Sequence, residues 1–402
     1  MKIAYFSPLN PVRTGISDYS EELLPYLARH FEIDVYIESG YMPENQAISA
    51  RFPILTFSPD KFRPEAYSAI LYHMGNYYEG HAYIYEALKR FPGIVVLHDY
   101  ALQGFYAERY AATGDFGQYR DLLVRFYSEK GAEIASGIRT GRPVPIWESD
   151  EAFDYPLNEE VAALAQALIV HSDFVRVRLQ ALSHKPVTTI PHHGHAVRSI
   201  DSKAVRDRLG IRDGELLILS AGYVNKNKRY DRILAALENI RDLPFRYIIA
   251  GEDRGGLLRN YIDPLDPRIK ILGRLSLPEL EGLISAADIC INLRFPTMGE
   301  SSGSLIRMMG FGKPVLVTNY GSYAEFPDHC VLKVDPDVDE VEMISRFTRE
   351  LARDSDFRAS VGREARAFVE KEHSLENCAD AYAKVIRETG RPLPGTAVGK
   401  GS

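Results

Sequence analysis

Cysteine is scarce in this sequence. Cys290, Cys330 and Cys378 are odd in number and far apart. Two of them lie in apolar, strand-like runs (DICINL and HCVLKV), so buried reduced thiols are expected rather than a disulfide framework. Neither a CxxC nor an HExxH spacing occurs, and no structural metal is expected. No apolar run approaches the length of a membrane span. The opening Met1-Lys2-Ile3-Ala4-Tyr5-Phe6 reads as a short strand and lacks the long apolar stretch of a signal peptide. A cytoplasmic protein is expected, with peripheral contact at the inner membrane face left open. Positive charge is not in excess either: 48 basic residues against 55 acidic ones give a net charge of -7. That balance argues against a nucleic-acid partner. Any anionic ligand has to be held by a local cluster of donors, not by the field of the whole chain. Internal repeats are absent.

What is present is a regular alternation. Short apolar or β-branched runs are separated by longer amphipathic segments over most of the 402 residues. In the first half the strand candidates are Lys2 to Phe6, Ile33 to Ile37, Ala69 to Tyr72, Gly93 to Leu97 and Ala167 to His171. In the second half they are Leu216 to Ala221, Arg246 to Ala250, Arg268 to Leu272, Asp288 to Asn292, Pro314 to Val317 and Val331 to Val334. Near-continuous apolar strands spaced by helices predict parallel sheets covered on both faces. The series stops in the segment PVTTIPHHGHAVRS and then begins again, which predicts two doubly wound α/β domains facing across a cleft. The boundaries read as 1–190 and 198–370, followed by a helix over 371–388 that returns to the first domain and an unordered tail over 389–402.

One stretch departs from the pattern. From Leu102 to Glu151 the sequence predicts a long helical region rich in Tyr, Phe and Arg, then a loop holding the only tryptophan. Its aromatic and basic residues from Phe105 to Lys130 suit a lipid-linked or polymeric partner, but ordinary packing against the first domain is the plainer reading.

Several segments carry residues suited to binding an anion. The run AGYVNKNKRYD follows a strand that ends at Gly222 and precedes a helix near Arg229, so Lys226, Lys228 and Arg229 fall at a sheet edge. The loop RFPTMGESSGS precedes another helix. There Ser301, Ser302, Gly303 and Ser304 are small N-cap and first-turn residues that let backbone amides approach an anion such as phosphate. Glu300 is placed to accept hydrogen bonds from hydroxyl groups, although a carboxylate beside a helix start is favourable by itself. In SPLNPVRTGISDYSEELL, Gly15 permits a close loop, and Ser17 or Asp18 is expected to cap the following helix. The strand GIVVL runs into His98-Asp99-Tyr100, at the strand end where open sheets bind ligands.

In their order and spacing, AGYVNKNKRYDRIL, IIAGE, ILGRLSLPELEGLISAADICINL, GESSGSLIRMMGFGKPVLVT and GSYAEF resemble the retaining glycosyltransferases of family 4, which have the GT-B fold. The resemblance covers roughly Met1 to Glu388. It implies an acceptor-side first domain and a second domain that binds a nucleotide sugar. Lys228 matches the family lysine on the donor diphosphate, while Tyr223 stands where that lysine's partner arginine belongs. Arg229, or Arg294 from the loop before Glu300, would assist. Of the two glutamates the family usually carries, the ribose-contacting one is replaced by Arg307, and Glu300 falls one residue late for the sugar-contacting one. His98 matches a histidine beside the transferred sugar. Gly15, Asp18 and Asp99 would line the acceptor side. His192, His193 and His195 take the place of a proline-glycine turn and are expected in hinge or core roles.

The implied reaction is sugar transfer with retention of configuration, from a UDP- or GDP-sugar to a glycan, lipid-linked or small-molecule acceptor. The leaving phosphate would help deprotonate the acceptor, and cations with helix dipoles would replace any metal or other cofactor. Two readings compete: a non-hydrolysing sugar-nucleotide epimerase, and a binding subunit with weakened catalysis, to which Tyr223 and Arg307 lend weight.

Overall fold

A computed structural model describes the chain apart from residues 142–143, 195–199, 264–265, 338 and 391–402. His195 and, from residue 391 on, the tail expected to be unordered lie outside the described residues.

In chain order the strands are β1 (Lys2–Phe6), β2 (Glu32–Ile37), β3 (Ile54–Thr56), β4 (Ala69–Met74), β5 (Ile94–Leu97), β6 (Ala167–Val170), β7 (Val187–Thr189), β8 (Leu216–Ala221), β9 (Phe245–Ala250), β10 (Ile269–Ile271), β11 (Ile289–Asn292), β12 (Val315–Thr318) and β13 (Leu332–Val334). The α-helices are α1 (Gly15–Leu27), α2 (Gln46–Arg51), α3 (Tyr78–Arg90), α4 (Gln103–Thr113), α5 (Phe116–Arg139), α6 (Glu159–Leu164), α7 (Asp173–Leu182), α8 (Ser202–Leu209), α9 (Tyr230–Glu238), α10 (Leu277–Ala286), α11 (Gly303–Gly310), α12 (Glu340–Arg353), α13 (Ser355–Glu372) and α14 (Leu375–Thr389).

The contacts divide the chain into two units. The first holds Met1–His193, Met298–Ser301 and residues 375–390; the second holds Gly194–Thr297 and Ser302–Ser374.

The first unit is built on a parallel sheet in the order β3-β2-β1-β4-β5-β6-β7. Its central strands are apolar on both faces: Ile3, Ala4, Tyr5 and Phe6 are wholly buried, as are Ile94, Val95 and Val96. Such strands need cover on each side, and the helical connections supply it. Register pairs Tyr5 with Val35 on one side and with Leu71 on the other. The last helix, α14, packs on α1 and adds Cys378, Ala379, Tyr382, Ala383, Val385 and Ile386 to the core formed with β1 and β2.

The second unit has a parallel sheet ordered β10-β9-β8-β11-β12-β13. Leu219 pairs with Ile248 and Cys290 with Val315 across it. Cys290, Cys330 and Cys378 are all buried and free. Strand order reverses between β1 and β4 in the first sheet and between β8 and β11 in the second. These are the switch points beyond whose carboxyl ends doubly wound sheets open a ligand crevice.

The structure details one expectation about local structure and corrects another. The long helical region after Leu102 consists of two helices, α4 and α5, and α5 itself breaks at Ser128, where φ is +52°. After Arg139 the chain forms short 3-10 turns at Ile146–Glu148 and Asp150–Phe153. The aromatic rings of this region mostly face inward: Phe105, Tyr106 and Tyr119 are buried. The cap of α1 is Thr14, whose hydroxyl accepts from the Ser17 amide at 3.1 Å. Ser17 and Asp18 therefore lie inside the first turn, and Gly15 is the first helical residue rather than part of a loop.

Candidate active site

In the second unit the switch point brings together Gly222, Lys228, Arg294 and the Ser302 to Ser304 helix start. Strand β8 ends at Ala221, and Gly222 turns the chain with φ +98°. A short 3-10 turn, Lys226–Lys228, then leads into α9. Lys228 folds back so that its ammonium donates to the Ala221 carbonyl at 2.8 Å, and only 8% of the residue is exposed. A Cβ at position 222 would overlap that ammonium and displace it, and the positive φ by itself requires glycine. A small cavity beside it is lined by Ser220, Ala221, Lys228, Tyr230 and residues Ile291 to Leu293 of β11 and its end.

The neighbouring strand supplies the rest. Asn292 closes β11 and donates to the Ser304 hydroxyl at 3.0 Å. Ser302 caps α11, accepting from the Leu305 amide at 3.3 Å, and its hydroxyl lies 3.1 Å from that of Ser304. The amides of Gly303 and Ser304 thus open an eight-residue helix at the same sheet edge. Arg294 follows Asn292 and Leu293. Its backbone amide is tied to Thr318 at 2.8 Å and its guanidinium reaches Asn227 at 3.5 Å. The Phe295 amide also bonds the Asn227 carbonyl at 2.7 Å, so the lysine turn and the arginine loop are stitched together.

Arg229 is engaged elsewhere. Its Nε donates to both carboxylate oxygens of Glu340, at 3.0 and 3.1 Å, and Glu340 is 1% exposed. That bond raises the guanidinium's pKa above its ordinary value. The sequence reading placed Arg229 toward a donor, whereas the structure gives it a buried structural partner.

In the first unit, Asp18 accepts from the Asn10 side chain at 2.9 Å, and a Cβ at Gly15 would meet open space. Asp99 accepts from the Asn76 amide at 2.7 Å. The four residues Met298–Ser301 belong to this unit. The Ala101 amide bonds the Met298 carbonyl at 3.0 Å, and Met298 packs with Ala101 and Ala152. Gly299 has φ +81°, and a Cβ there would run into Tyr100. Glu300 accepts from the Met298 amide at 2.7 Å. His98 is 8% exposed and has both ring nitrogens engaged, Nε2 with His73 at 2.9 Å and Nδ1 with His171 at 3.1 Å. Burial, with the surrounding histidines second, holds its pKa well below the usual imidazole range.

Comparison with known proteins finds a family model that matches part of this chain. Residues 215–351 match the family model described as glycosyl transferases group 1. The matched stretch takes in every strand of the second sheet, β8 to β13. No curated protein matches the sequence. Among solved structures, sucrose-phosphate synthase from Thermosynechococcus elongatus superposes with a TM-score of 0.64 at 16% identity, covering 96% of this chain and 99% of that one. HepE of Anabaena, solved in complex with UDP-glucose, gives 0.66 at 15% identity over 96% and 100%. WaaG, a glycosyltransferase involved in lipopolysaccharide biosynthesis, gives 0.60 at 16% over 96% and 99%. The fold is GT-B.

Two departures from the glycosyltransferase pattern acquire a structural setting. At Tyr223, the Arg254 guanidinium from the loop after β9 lies 5.1 Å from the ring centroid, so a cation stands beside the position that lacks one. Arg307 on α11 bonds Glu281 on α10 at 2.7 Å, with both side chains 12% exposed. Arg254 was not singled out from sequence, because it follows a different strand from the tyrosine it neighbours. The partners of His98, His73 and His171, were missed too, since they lie 25 and 73 residues away from it. Among the described residues no group of three or more His, Cys, Asp or Glu could hold a metal ion, and no helix is long and apolar enough to cross a membrane.

Proposed function

We propose that the protein is a metal-independent, retaining glycosyltransferase. It takes a sugar from a nucleoside diphosphate donor, UDP- or GDP-linked, to a glycan, lipid-linked or small-molecule acceptor. The observation that carries this reading is the Lys228 ammonium, fixed against Ala221 over Gly222 at the switch point of a group 1 domain. Departure of a diphosphate builds negative charge. A pre-positioned ammonium beside a helix N-terminus lowers that cost without reorganising during the reaction. Lys228 therefore serves the leaving diphosphate, with the Gly303 and Ser304 amides behind the Ser302 cap, and Arg294 assists. Gly222 makes room for the lysine. Arg254, beside Tyr223, supplies further positive charge. HepE, a structural neighbour, was solved with UDP-glucose, which supports a nucleotide-sugar donor.

In the first unit, Glu300 and Ser301 serve the donor sugar, and His98 borders the anomeric centre. Gly15, Asp18 and Asp99 line the acceptor side. The leaving phosphate takes the acceptor proton, so the protein's own part is positioning and electrostatics. The protein would act in the cytoplasm, with a lipid-linked acceptor met at the inner membrane face.

A thermal-shift panel of UDP, GDP, UDP-glucose and other nucleotide sugars tests the donor class. A ligand that binds only the native state raises its stability, by about 2.7 kcal/mol at a hundred times its Kd. No shift with any member would end the donor reading. A second reading, a sugar-nucleotide-binding subunit with weakened catalysis, is favoured by one observation: Arg307 is spent on Glu281. Binding without turnover across a broad acceptor set would select it.

A further inference from the structure

Histidines recur along the carboxyl edge of the first sheet. His73 is the penultimate residue of β4, His98 directly follows β5, His171 directly follows β6, and Ile190 directly follows β7. These four strands are consecutive neighbours in the sheet, so the four residues form a row across it. The row is hydrogen bonded throughout. His171 Nδ1 lies 2.9 Å from the Ile190 carbonyl, His171 Nε2 lies 3.1 Å from His98 Nδ1, and His98 Nε2 lies 2.9 Å from His73 Nδ1.

A carbonyl can only accept, and that decides every proton in the row. His171 must carry its proton on Nδ1. In a neutral ring its Nε2 is then a bare acceptor, so His98 must be protonated on Nδ1. The same step makes His98 Nε2 an acceptor and puts the His73 proton on Nδ1. The row ends at His73 Nε2, a buried nitrogen with no hydrogen-bond partner among the described residues. Reversing one ring would set two N–H groups, or two lone pairs, against each other at hydrogen-bond distance. Tyr19 adds a steric lock: its ring meets His98 edge-on at 4.9 Å between centroids and His171 at 5.3 Å.

We infer that His171 and His73 are positioning residues for His98, which they hold, with the Ile190 carbonyl as anchor, as a single neutral Nδ1–H tautomer. His98 then presents neither ring nitrogen to a ligand, and it borders the sugar through its carbon edge and backbone. It acts there as a fixed wall rather than as an acid or a base. The inference rests on the proposed function only for the word "sugar"; the clamp itself is a property of the first unit.

Long-range proton–nitrogen correlation on the full chain with nitrogen-labelled histidine, at pH 7.5, tests the clamp. All three rings are expected as the Nδ1–H form, against the Nε2–H preference of an unconstrained histidine side chain. An Nε2–H signal from any of the three overturns the inference. His171→Gln should preserve the row, since its amide can donate to Ile190 and accept from His98. His171→Leu should release His98 into a mixture of tautomers. It should also lower kcat for UDP-glucose cleavage about tenfold, with KM within about twofold, while His171→Gln stays near wild type. Equal tautomers and equal kcat in the two variants would defeat it. If the wild type does not cleave UDP-glucose, that donor is lost and the tautomers alone decide the clamp. Should His171→Leu fail to fold, the wild type and His171→Gln still decide it.

Discussion

The ammonium of Lys228 occupies the space that a side chain at position 222 would need. Gly222 and Lys228 are thus one device: the glycine's left-handed turn opens the end of β8, and the lysine fills it with charge. Gly222→Ala should strain the backbone by about 1–3 kcal/mol and push the ammonium off the Ala221 carbonyl. We expect UDP affinity, measured by calorimetry, to fall about tenfold or more. An alanine variant that binds UDP like the wild type would separate the two residues.

Removing the charge alone is the sharper test of chemistry. Lys228→Met keeps most of the side chain's length while abolishing the ammonium. Turnover should drop about a hundredfold, with the melting temperature changed by only a few degrees. Wild-type turnover in this variant would take Lys228 out of the reaction.

Arg229, the next residue in sequence, should behave differently. Its partner Glu340 is almost wholly buried, and Arg232 lies 3.8 Å from the same carboxylate. Arg229→Ala leaves a buried carboxylate short of its main partner, at a cost of about 3 kcal/mol. Combining it with Glu340→Gln should recover much of that loss in urea denaturation. Additive losses in the double variant would show that the pair is not coupled.

Stability should also depend on pH through the first unit's histidines. His81 is buried with Nδ1 against the Tyr77 carbonyl at 2.8 Å, and burial lowers its pKa from 6.5 to about 4. Between those values the unfolded chain binds a proton that the native state refuses. Stability is therefore lost as pH falls through that window and levels off below about 4. His81 alone accounts for roughly 3 kcal/mol, and burial pushes His73 and His98 in the same direction. Urea titrations at pH 7.5 and 4.5 should show the loss, and His81→Gln should reduce it. A flat profile in the wild type would mean that protons enter the folded unit freely.

Much of the fold was legible because its central strands are continuous apolar runs, and eleven of the thirteen described strands were readable in the sequence. The two missed strands, β3 and β7, are three-residue edges of the first sheet. An edge strand is paired on one side only, so it needs less apolar character to persist. Lys228 and the Ser302 to Ser304 helix start could be read because turn, cation and cap are contiguous. What could not be read depends on partners far apart in sequence: Glu340 on Arg229, Glu281 on Arg307, Arg254 over Tyr223, and the histidine row. The α1 cap failed for a local reason. Thr14, Ser17 and Asp18 are all capping types, and only the backbone angles distinguish among them; Thr14 is extended, with ψ 155°.

The position of α14 also sets an order of events during synthesis. Tyr382 shares a hydrogen bond of 2.8 Å with Tyr19, and its helix closes the core around β1. A ribosome making this chain finishes β1 and α1 before the second sheet and their covering helix after it. The amino-terminal half therefore waits, incompletely enclosed, while its downstream neighbour already has every strand it needs. Nascent chains halted before Leu375 would expose Tyr19 and its surroundings to chaperones and proteases.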